Sequence, residues 1–292
     1  MFASHRGTLY SSLSSAAGIS ILPHDAMLDL EFAEFSDRGR IREHNEDFLG
    51  HAVPNSSADV RGRGWLFALA DGVGGQERGE VASRLAVESV VAGFQRAPAG
   101  EAHATLLQRL IHDANLRVHE AGMASQATNT MMATTLVACA LRNDRAVVAH
   151  VGDSRCYLVR HGSATLLTRD HTVANDHIRL GLLSPAEAAH AETRHLLTRS
   201  LGGNLVVNPD IKEHQLIPGD VLVLCCDGLY GSLTETDIAS LASRGAELEG
   251  AARSLVAVAN QRDGADNISV QLIRIRSVER VGMYRGRPYK LR

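Results

Sequence analysis

Trp65-Leu66-Phe67-Ala68-Leu69-Ala70-Asp71-Gly72 is the stretch that decides the fold. Its six consecutive apolar residues predict a buried strand that ends at Asp71-Gly72. A carboxylate at the end of a buried strand costs free energy unless it is paired or coordinates a metal. The glycines Gly72, Gly74 and Gly75 would let backbone carbonyls approach a cation closely. The stretch therefore predicts a buried strand that ends in either a tight turn or a cation site.

Three further aspartates stand at the ends of predicted strands. They are Asp153 after the strand 146–151, Asp227 after the strand 221–226, and Asp266 just before the strand 268–275. If these strands are neighbours, their ends collect the four carboxylates at one edge. Oxygen ligands without Cys or His companions suit Mg²⁺ or Mn²⁺ rather than zinc. A tight turn explains any single Asp-Gly pair equally well, but four such aspartates, with Arg42 and Glu46-Asp47, favour a metal site.

The other hydrophobic patterns predict helices between runs of strands. Strands are predicted at 30–35, 135–141 and 155–159, and helices at 80–94, 101–120 and 248–260. The first helix places Val81, Leu85, Val90 and Phe94 on its apolar face, and Thr234 with Asp237 resembles a capping box. Because helices and strands do not alternate regularly, the order favours antiparallel sheets covered by helices over a doubly wound parallel sheet.

The predicted organisation is one domain with a tail at each end. We expect a flexible N-terminal tail at 1–28, a globular domain at 29–277 and a basic C-terminal tail at 278–292. Residues 168–204 are polar, His-rich and interrupted by Pro185 and Gly202-Gly203, which predicts a small surface flap. The flap histidines His171, His177, His190 and His195 fit no helix-face pair of metal ligands, so we expect them on surface loops.

Composition excludes several classes of function. The chain has 292 residues, 45% of them hydrophobic, and a net charge of -3, without the basic stripe that a nucleic-acid-binding protein carries. No apolar run approaches the length of a membrane span, and the first residues lack the apolar core of a signal peptide. The four cysteines show no CxxC spacing and are expected to be buried and reduced, which predicts a cytoplasmic protein.

Six short motifs occur in series along the chain. They are Arg42-Glu43-His44-Asn45-Glu46-Asp47, Ala70-Asp71-Gly72-Val73-Gly74-Gly75, Ala133-Thr134-Thr135, Val151-Gly152-Asp153-Ser154-Arg155, Cys226-Asp227-Gly228-Leu229 and Ala265-Asp266-Asn267. In this order and spacing, across residues 33–275, the chain resembles the PPM class of metal-dependent phosphatases, also called PP2C-like Ser/Thr phosphatases. Compact bacterial members, which have a comparable flap, are the most similar.

This resemblance implies the fold and the roles of the site residues. The expected fold is an α+β, four-layer αββα sandwich, in which two antiparallel sheets lie between helix pairs. Two cations, Mn²⁺ or Mg²⁺, and a weaker third one are expected. Their ligands would be Asp71 bridging two cations, the Gly72 carbonyl on one, Asp227 and Asp266 on the second, Glu46 or Asp47 through water, and Asp153 with Asp227 on the third. Arg42 would hold the substrate phosphate, for which a guanidinium fork is suited.

The implied reaction is the hydrolysis of phosphoserine or phosphothreonine in proteins, by a water activated between two cations, in opposition to a Ser/Thr kinase. Some relatives carry a histidine after Asp-Gly that is proposed to protonate the leaving oxygen, and Val73 stands there in this chain. We expect water held by the cations, rather than a histidine such as His44 or His171, to serve instead.

Two alternative functions belong to other classes. One is a non-catalytic relative that binds phosphoproteins as a scaffold, which the presence of all four aspartates disfavours. The other is a phosphatase that acts on a single partner-switching regulator, which the lack of a visible sensor domain disfavours. We expect phosphorylated proteins, including a Ser/Thr kinase and its substrates, as partners of a monomeric enzyme.

Overall fold

The structure is a computed structural model, which describes residues 27–73, 78–124, 132–244, 247–284 and 287–290. Its strands are β1 (Asp29–Asp37), β2 (Asp47–Ala52), β3 (Trp65–Val73), β4 (Ala133–Thr134), β5 (Leu136–Arg142), β6 (Arg145–Val151), β7 (Arg155–Arg160), β8 (Ser163–Leu166), β9 (Asp210–Gln215), β10 (Val221–Cys225), β11 (Ile268–Ser277), β12 (Val281–Tyr284) and β13 (Arg287–Lys290). Its α-helices are α1 (Ser57–Gly62), α2 (Gly79–Arg96), α3 (His103–Ala124), α4 (Val173–Arg179), α5 (Pro185–His190), α6 (Asp227–Tyr230), α7 (Glu235–Ala242) and α8 (Leu248–Arg262).

Two antiparallel sheets form the centre of the molecule. Sheet I has the strand order β1-β11-β10-β7-β8, and sheet II has the order β2-β3-β5-β6-β9 with β4 paired to β3. Helices α2 and α3 cover the outer face of sheet II, whereas α7 and α8 cover that of sheet I. A third hydrophobic cluster fills the space between the sheets. The predicted αββα sandwich is confirmed.

The uninterrupted apolar run of β3 follows from its place in the layers. Successive side chains of a strand point to opposite faces of its sheet. Phe67 and Leu69 therefore belong to the cluster between the sheets, and Leu66, Ala68 and Ala70 belong to the cluster beneath the helices. All five are inaccessible to solvent. β3 is thus buried on both faces, and it carries the site residues at its end.

Helix α2 packs through the predicted face at Leu85, Val90 and Phe94 but not at Val81. Val81, expected on the apolar face, is 40% exposed, whereas Ala82, Ala86 and Val90 are buried. The prediction was wrong at Val81 because small residues form much of this interface. Alanines on α2 meet alanines on β3, so the helix can lie close to the sheet.

The packed chain begins and ends slightly outside the predicted domain. Leu28 is buried, and the Ser277 hydroxyl donates to the Met27 carbonyl at 2.7 Å, so residue 28 belongs with the sheet rather than with a tail. At the other end, Val278 and Glu279 are also buried, and β12 and β13 form a hairpin. The rest of the predicted N-terminal tail, residues 1–26, lies outside the described residues. The proposed division into domain, flap and tails otherwise stays a prediction.

The predicted flap contains short helical segments. α4, α5 and a 3₁₀ helix at Glu192–His195 follow one another between β8 and β9. The capping box predicted for α7 is confirmed, because the Thr234 and Asp237 side chains each bind the other's backbone N–H. No helix in the described stretches is long and apolar enough to cross a bilayer.

Candidate active site

Asp47 and Asp71 face each other across two neighbouring strands. Asp47 is the first residue of β2, and the antiparallel register places it opposite Asp71 on β3. β3 does not end at Asp71, as the sequence suggested, because Gly72 and Val73 continue it by pairing with β4. The pairing of β2 with β3 thus brings the Asp47 and Asp71 carboxylates together on adjacent strands. Of these two aspartates, the sequence pattern places only Asp71 at the end of a strand.

The backbone of Asp71 is fixed by two threonines. The Asp71 N–H donates to the Thr135 hydroxyl at 3.0 Å, and the Asp71 carbonyl accepts from the Thr134 hydroxyl at 2.7 Å and from the Thr135 N–H at 2.9 Å. The Thr135 hydroxyl in turn bonds to that of Ser154, next to Asp153, at 2.7 Å. These bonds satisfy the main-chain groups and leave the Asp71 carboxylate for another partner.

The other predicted carboxylates come from both sheets. Asp153 lies in the turn between β6 and β7, Asp227 is the first residue of α6 and is separated from β10 by Cys226 alone, and Asp266 precedes β11. Sheet II therefore supplies Asp47 and Asp71, sheet I supplies Asp227 and Asp266, and Asp153 lies in the turn that joins the two sheets. The structure brings together all the aspartates that the sequence singled out, at one edge shared by both sheets.

Burial and mutual repulsion raise the pKa values of three of these carboxylates. The pKa of Asp71 lies well above its usual range, first through burial and then through the charges of Asp47, Asp227, Asp153 and Asp266. Burial also raises the pKa values of Asp47 and Asp153 to about 7, and the nearby Asp227 adds to both shifts. Each of the three is thus held where its ionised form needs a counter-charge.

The donor set fits a hard divalent cation. Both carboxylate oxygens of Asp47 are buried, and neither makes a hydrogen bond of ordinary geometry with the described residues. Burial raises the pKa of Asp47, and the nearby Ser269 and Cys226 side chains lower it only in part. Cys226 approaches Asp47 and Asp71, with ligand atoms within 4.8 Å of one another. However, its thiol donates to the Asn267 carbonyl at 3.3 Å, and burial raises its pKa well above the usual range, so the sulfur stays protonated. Around Asp47 and Asp71 the available ligands are therefore oxygens, which suit Mg²⁺ or Mn²⁺.

Asn267 organises the loop that carries Arg42. Its side-chain amide donates to the carbonyls of Arg38 and His44, and its carbonyl oxygen accepts from the Glu46 N–H at 2.8 Å. Arg42 itself donates to an oxygen of Asp266 at 2.8 Å, and this bond raises the pKa of the guanidinium further. The sequence motif contained Asn267, but nothing in its spacing indicated that this side chain joins the two loops.

Glu46 lies against the start of α2. Its carbonyl accepts from the Ser83 hydroxyl at 2.6 Å, and its carboxylate lies so close to Gly79 that a Cβ there would be 2.6 Å from it. Burial raises the pKa of Glu46. Gly72 packs equally closely on the backbone of Gly79, with 2.4 Å from a Cβ position to the nearest atom. The two glycines thus let α2 approach β3 and Glu46. Gly74 and Gly75, predicted to help expose carbonyls, lie outside the described residues.

A comparison with protein families identifies the chain. The profile described as "Protein phosphatase 2C" matches residues 42–261, which include most of this site. The chain belongs to the protein phosphatase 2C family.

Relatives of this phosphatase family are similar over nearly their whole length. The serine/threonine phosphatase Stp of Listeria welshimeri is 34% identical over 259 residues, which cover 87% of this chain and 98% of that protein. The serine/threonine phosphatase structure from S. agalactiae has a TM-score of 0.77 at 32% identity, covering 85% of this chain and all of that one. The catalytic domain of PstP, solved with two manganese ions, has a TM-score of 0.73 at 29% identity, covering 86% and 99%.

One flap histidine reaches the centre of this protein phosphatase 2C site. Nδ1 of His195 lies 3.6 Å from a carboxylate oxygen of Asp227, and the interaction raises the pKa of the imidazole. Asp153, His195 and Asp227 offer ligand atoms that all lie within 4.8 Å of one another. The prediction that His195 only occupies a surface loop was incomplete, because it is exposed yet faces the carboxylates. Its position results from the packing of the flap, for which the local sequence gives no signal.

The position of a second flap histidine, His171, contradicts the prediction of a surface loop. His171 is only 2% exposed, and its ring stacks on that of His150 with 4.7 Å between the ring centres. Nδ1 of His171 accepts a hydrogen bond from the Gly152 N–H. His190 is exposed, as expected, and His177 is half-buried. His171 is therefore part of the interior beneath the flap, not a surface side chain.

Substitution of Gly79 tests whether Glu46 contributes to cation binding. Gly79→Ala adds a methyl group that must push the Glu46 carboxylate aside, which costs little stability because that group ends a flexible side chain. We expect unchanged or higher thermal stability, since alanine favours a helix, with Mn²⁺ affinity reduced about tenfold in isothermal titration. Gly250→Ala, on α8 with open space around it, is the matched control. Equal Mn²⁺ affinities in both variants would remove Glu46 from the cation site.

Substitution of His195 tests whether this side chain binds a cation together with Asp153 and Asp227. Metal binding through Nδ1 requires the imidazole to lose its proton there, so its contribution should increase with pH. We expect His195→Ala to weaken the most loosely bound Mn²⁺ about tenfold at pH 8 and to leave tighter sites unchanged, as measured by titration calorimetry. His190→Ala, an exposed change in the same flap, should have no effect. Identical binding curves for the two variants would show that His195 is not a ligand.

Proposed function

We propose that this protein is a protein serine/threonine phosphatase that uses two divalent cations, Mn²⁺ or Mg²⁺, and a weaker third one. One observation carries the proposal, namely that five carboxylates converge where the two sheets meet, with both oxygens of Asp47 buried and without a hydrogen bond of ordinary geometry among the described residues. Bound cations would offset both the repulsion and the burial. The names of the relatives support the same substrate class, since Listeria Stp is called a serine/threonine phosphatase.

The roles that we assign to the residues follow the proximity of their oxygens. Asp71 lies centrally, because its pKa responds to the charges of four other aspartates. We therefore assign Asp71 to both main cations, and the other residues to one main cation, to the third cation or to water bound to a cation. The proposed cation ligands are Asp71, the Gly72 carbonyl, Asp227 and Asp266 for the main pair, Glu46 and Asp47 through water, and Asp153 with Asp227 for the third.

When bound, such cations make a water nucleophilic near neutral pH and offset the charge of a phosphoryl group during its transfer. The protein's own contribution is position. Asn267 and the Asp266 carboxylate hold the Arg42 loop, and the half-exposed guanidinium uses one nitrogen for Asp266. Its remaining N–H groups can bind two oxygens of a substrate phosphate. Arg42 thereby orients the phosphorus toward the carboxylate cluster.

Protonation of the leaving oxygen is not a role for His171. That imidazole is buried and hydrogen-bonded to Gly152, so it cannot reach a substrate. Val73, where some relatives carry a histidine, has an exposed apolar side chain. We therefore propose that water, rather than His171 or the side chain at position 73, supplies this proton.

The two alternative functions receive less support. A non-catalytic scaffold has no need of several buried carboxylates that raise one another's pKa values, and none of the expected carboxylates is missing. A phosphatase dedicated to one regulator would use the same chemistry and would differ only in its substrate. The four cysteines are buried free thiols, which supports the proposed cytoplasmic location. We further propose that the enzyme acts as a monomer and opposes a Ser/Thr kinase.

Removal of one charge from the cluster tests the proposed function. The wild-type protein should hydrolyse a phosphothreonine peptide with Mn²⁺, lose activity with EDTA and regain it when Mn²⁺ is restored. Asp266→Asn keeps an acceptor for Arg42 but removes a negative charge, so we expect turnover to fall about a hundredfold. Asp263→Asn, an exposed change in the same loop, should behave like wild type. Full activity of the chelated wild-type enzyme would refute the metal-dependent mechanism.

Substitution of Arg42 distinguishes a role in binding the substrate phosphate from a role in its transfer. If its main role is to hold the ground-state phosphate, Arg42→Ala should raise KM more than it lowers kcat on the peptide. Arg40→Ala is the control, because Arg40 in the same loop donates to the Asp263 carbonyl and makes no contact with the carboxylate cluster among the described residues. A fall in kcat with unchanged KM would instead place Arg42 in stabilisation of the transition state.

A further inference from the structure

The turn that carries Asp153 is held by a side chain of the flap. The Gly152 backbone N–H donates to the ring Nδ1 of His171 at 3.2 Å, and the backbone N–H of His171 donates to the Gly152 carbonyl at 3.0 Å. Gly152 has a φ of +98°, and a Cβ there would lie 2.7 Å from Thr135. The turn therefore adopts a conformation that glycine alone tolerates well, and its peptide groups are fixed from outside by one histidine.

The other edge of the His171 ring faces the far end of the flap. Nε2 lies 3.5 Å from a carboxylate oxygen of Asp210, the first residue of β9. Arg199 and Arg169 donate to the two oxygens of Asp210 at 2.8 and 3.0 Å, and these contacts lower its pKa to about 2. The His171 carbonyl also accepts from the Thr198 N–H at 2.8 Å. His171 thus connects the start of the flap, its end and the turn before Asp153.

The contacts define the form of the imidazole. Because Nδ1 accepts from an amide, the ring proton lies on Nε2, which faces both the Asp210 carboxylate at 3.5 Å and the Arg199 guanidinium at 3.3 Å. A guanidinium only donates, so in this tautomer Arg199 donates to Asp210 and the Nε2 proton is left for the same carboxylate. His150 stacks on the ring with an interplanar angle of 15° and bonds through its own Nε2 to the Arg169 carbonyl at 2.8 Å. Burial, with the adjacent His150 and Arg199, lowers the pKa of His171 to about 4. The ring is neutral at physiological pH and acts as a fixed hydrogen-bonding spacer.

The cluster is not itself a cation site. His150, His171 and Asp210 do offer ligand atoms within 4.8 Å of one another. However, two guanidinium groups already bind the Asp210 oxygens, so a cation would meet two positive charges. The lone pair of His171 Nδ1 is also engaged by Gly152. Hydrogen bonding satisfies this group without a metal.

We propose that His171 is a positioning residue for the reaction, which fixes the Gly152-Asp153 turn against the base of the flap and so holds Asp153 in place for the third cation. The proposal rests on the proposed function, because it assigns Asp153 to a cation. A neighbouring bidentate pair, Arg155 with Asp170 at 2.6 and 2.9 Å, fastens the same segment independently. The fold should therefore tolerate the loss of His171, and the effect should concentrate on Asp153.

Two amide substitutions separate the two edges of the ring. In His171→Asn the side-chain oxygen lies near the position of Nδ1 and can accept from Gly152, but the side chain is too short to reach Asp210. In His171→Gln the longer amide reaches Asp210 and does not supply the acceptor at Nδ1. We expect the Gln variant to bind the weakest Mn²⁺ about tenfold less tightly, and the Asn variant to remain within about twofold of wild type, in titration calorimetry.

The controls distinguish this role from general destabilisation and from failure of the proposed function. Thermal unfolding should show similar midpoints for both variants, and ¹⁵N NMR of the cation-free wild-type protein should show the proton of His171 on Nε2. If the wild type binds no Mn²⁺, the proposed function fails. If it binds Mn²⁺ but the two variants bind it equally, or the tautomer is the other one, the positioning role is wrong. Loss of one whole equivalent of Mn²⁺ in both variants would show that the cluster is a cation site, which also overturns the proposal.

Discussion

Repulsion among carboxylates buried at one edge of two sheets is the constraint on which the site depends. Asp47 and Asp71 cannot move apart, because strand pairing sets them opposite each other. Thr134 and Thr135 fix the backbone at Asp71 by hydrogen bonds. Asn267 fixes the neighbouring loop that carries Arg42. The protein therefore maintains an arrangement of carboxylates that is unfavourable by itself and that bound cations would relieve.

The sequence predicted the layers and the principal carboxylates because both depend on local patterns. An apolar run such as β3 must be buried on both faces, and an aspartate that ends such a run needs a partner. The same reasoning located Asp153, Asp227 and Asp266. Because the elements fall in an order without βαβ alternation, antiparallel sheets could also be predicted. The resemblance to a known family supplied the arrangement of the layers and the individual roles.

The remaining features could not be predicted because they depend on contacts between distant segments. The pairing of Asp47 with Asp71 is a matter of strand register, and the burial of His171 depends on where the flap rests. A polar, histidine-rich stretch is typical of a surface loop, and for His190 that interpretation holds. At His171 the neighbouring arginines and Asp210, 39 positions further along the chain, satisfy the polar groups and permit burial. Val81 shows a local error of the same origin, since alanines carry the helix interface.

The shared edge of the two sheets has a mechanical consequence. Sheet I contributes Asp227 and Asp266, sheet II contributes Asp47 and Asp71, and Asp153 lies in the turn between the sheets. A cation bound by carboxylates of both sheets would hold the two layers together. Any sliding of one sheet over the other would change the distances between these oxygens. The apolar cluster between the sheets, which includes Phe67 and Leu224, therefore determines the distances between the carboxylates of the two sheets. Side chains far from the phosphate can in this way tune the chemistry through the thickness of the sandwich.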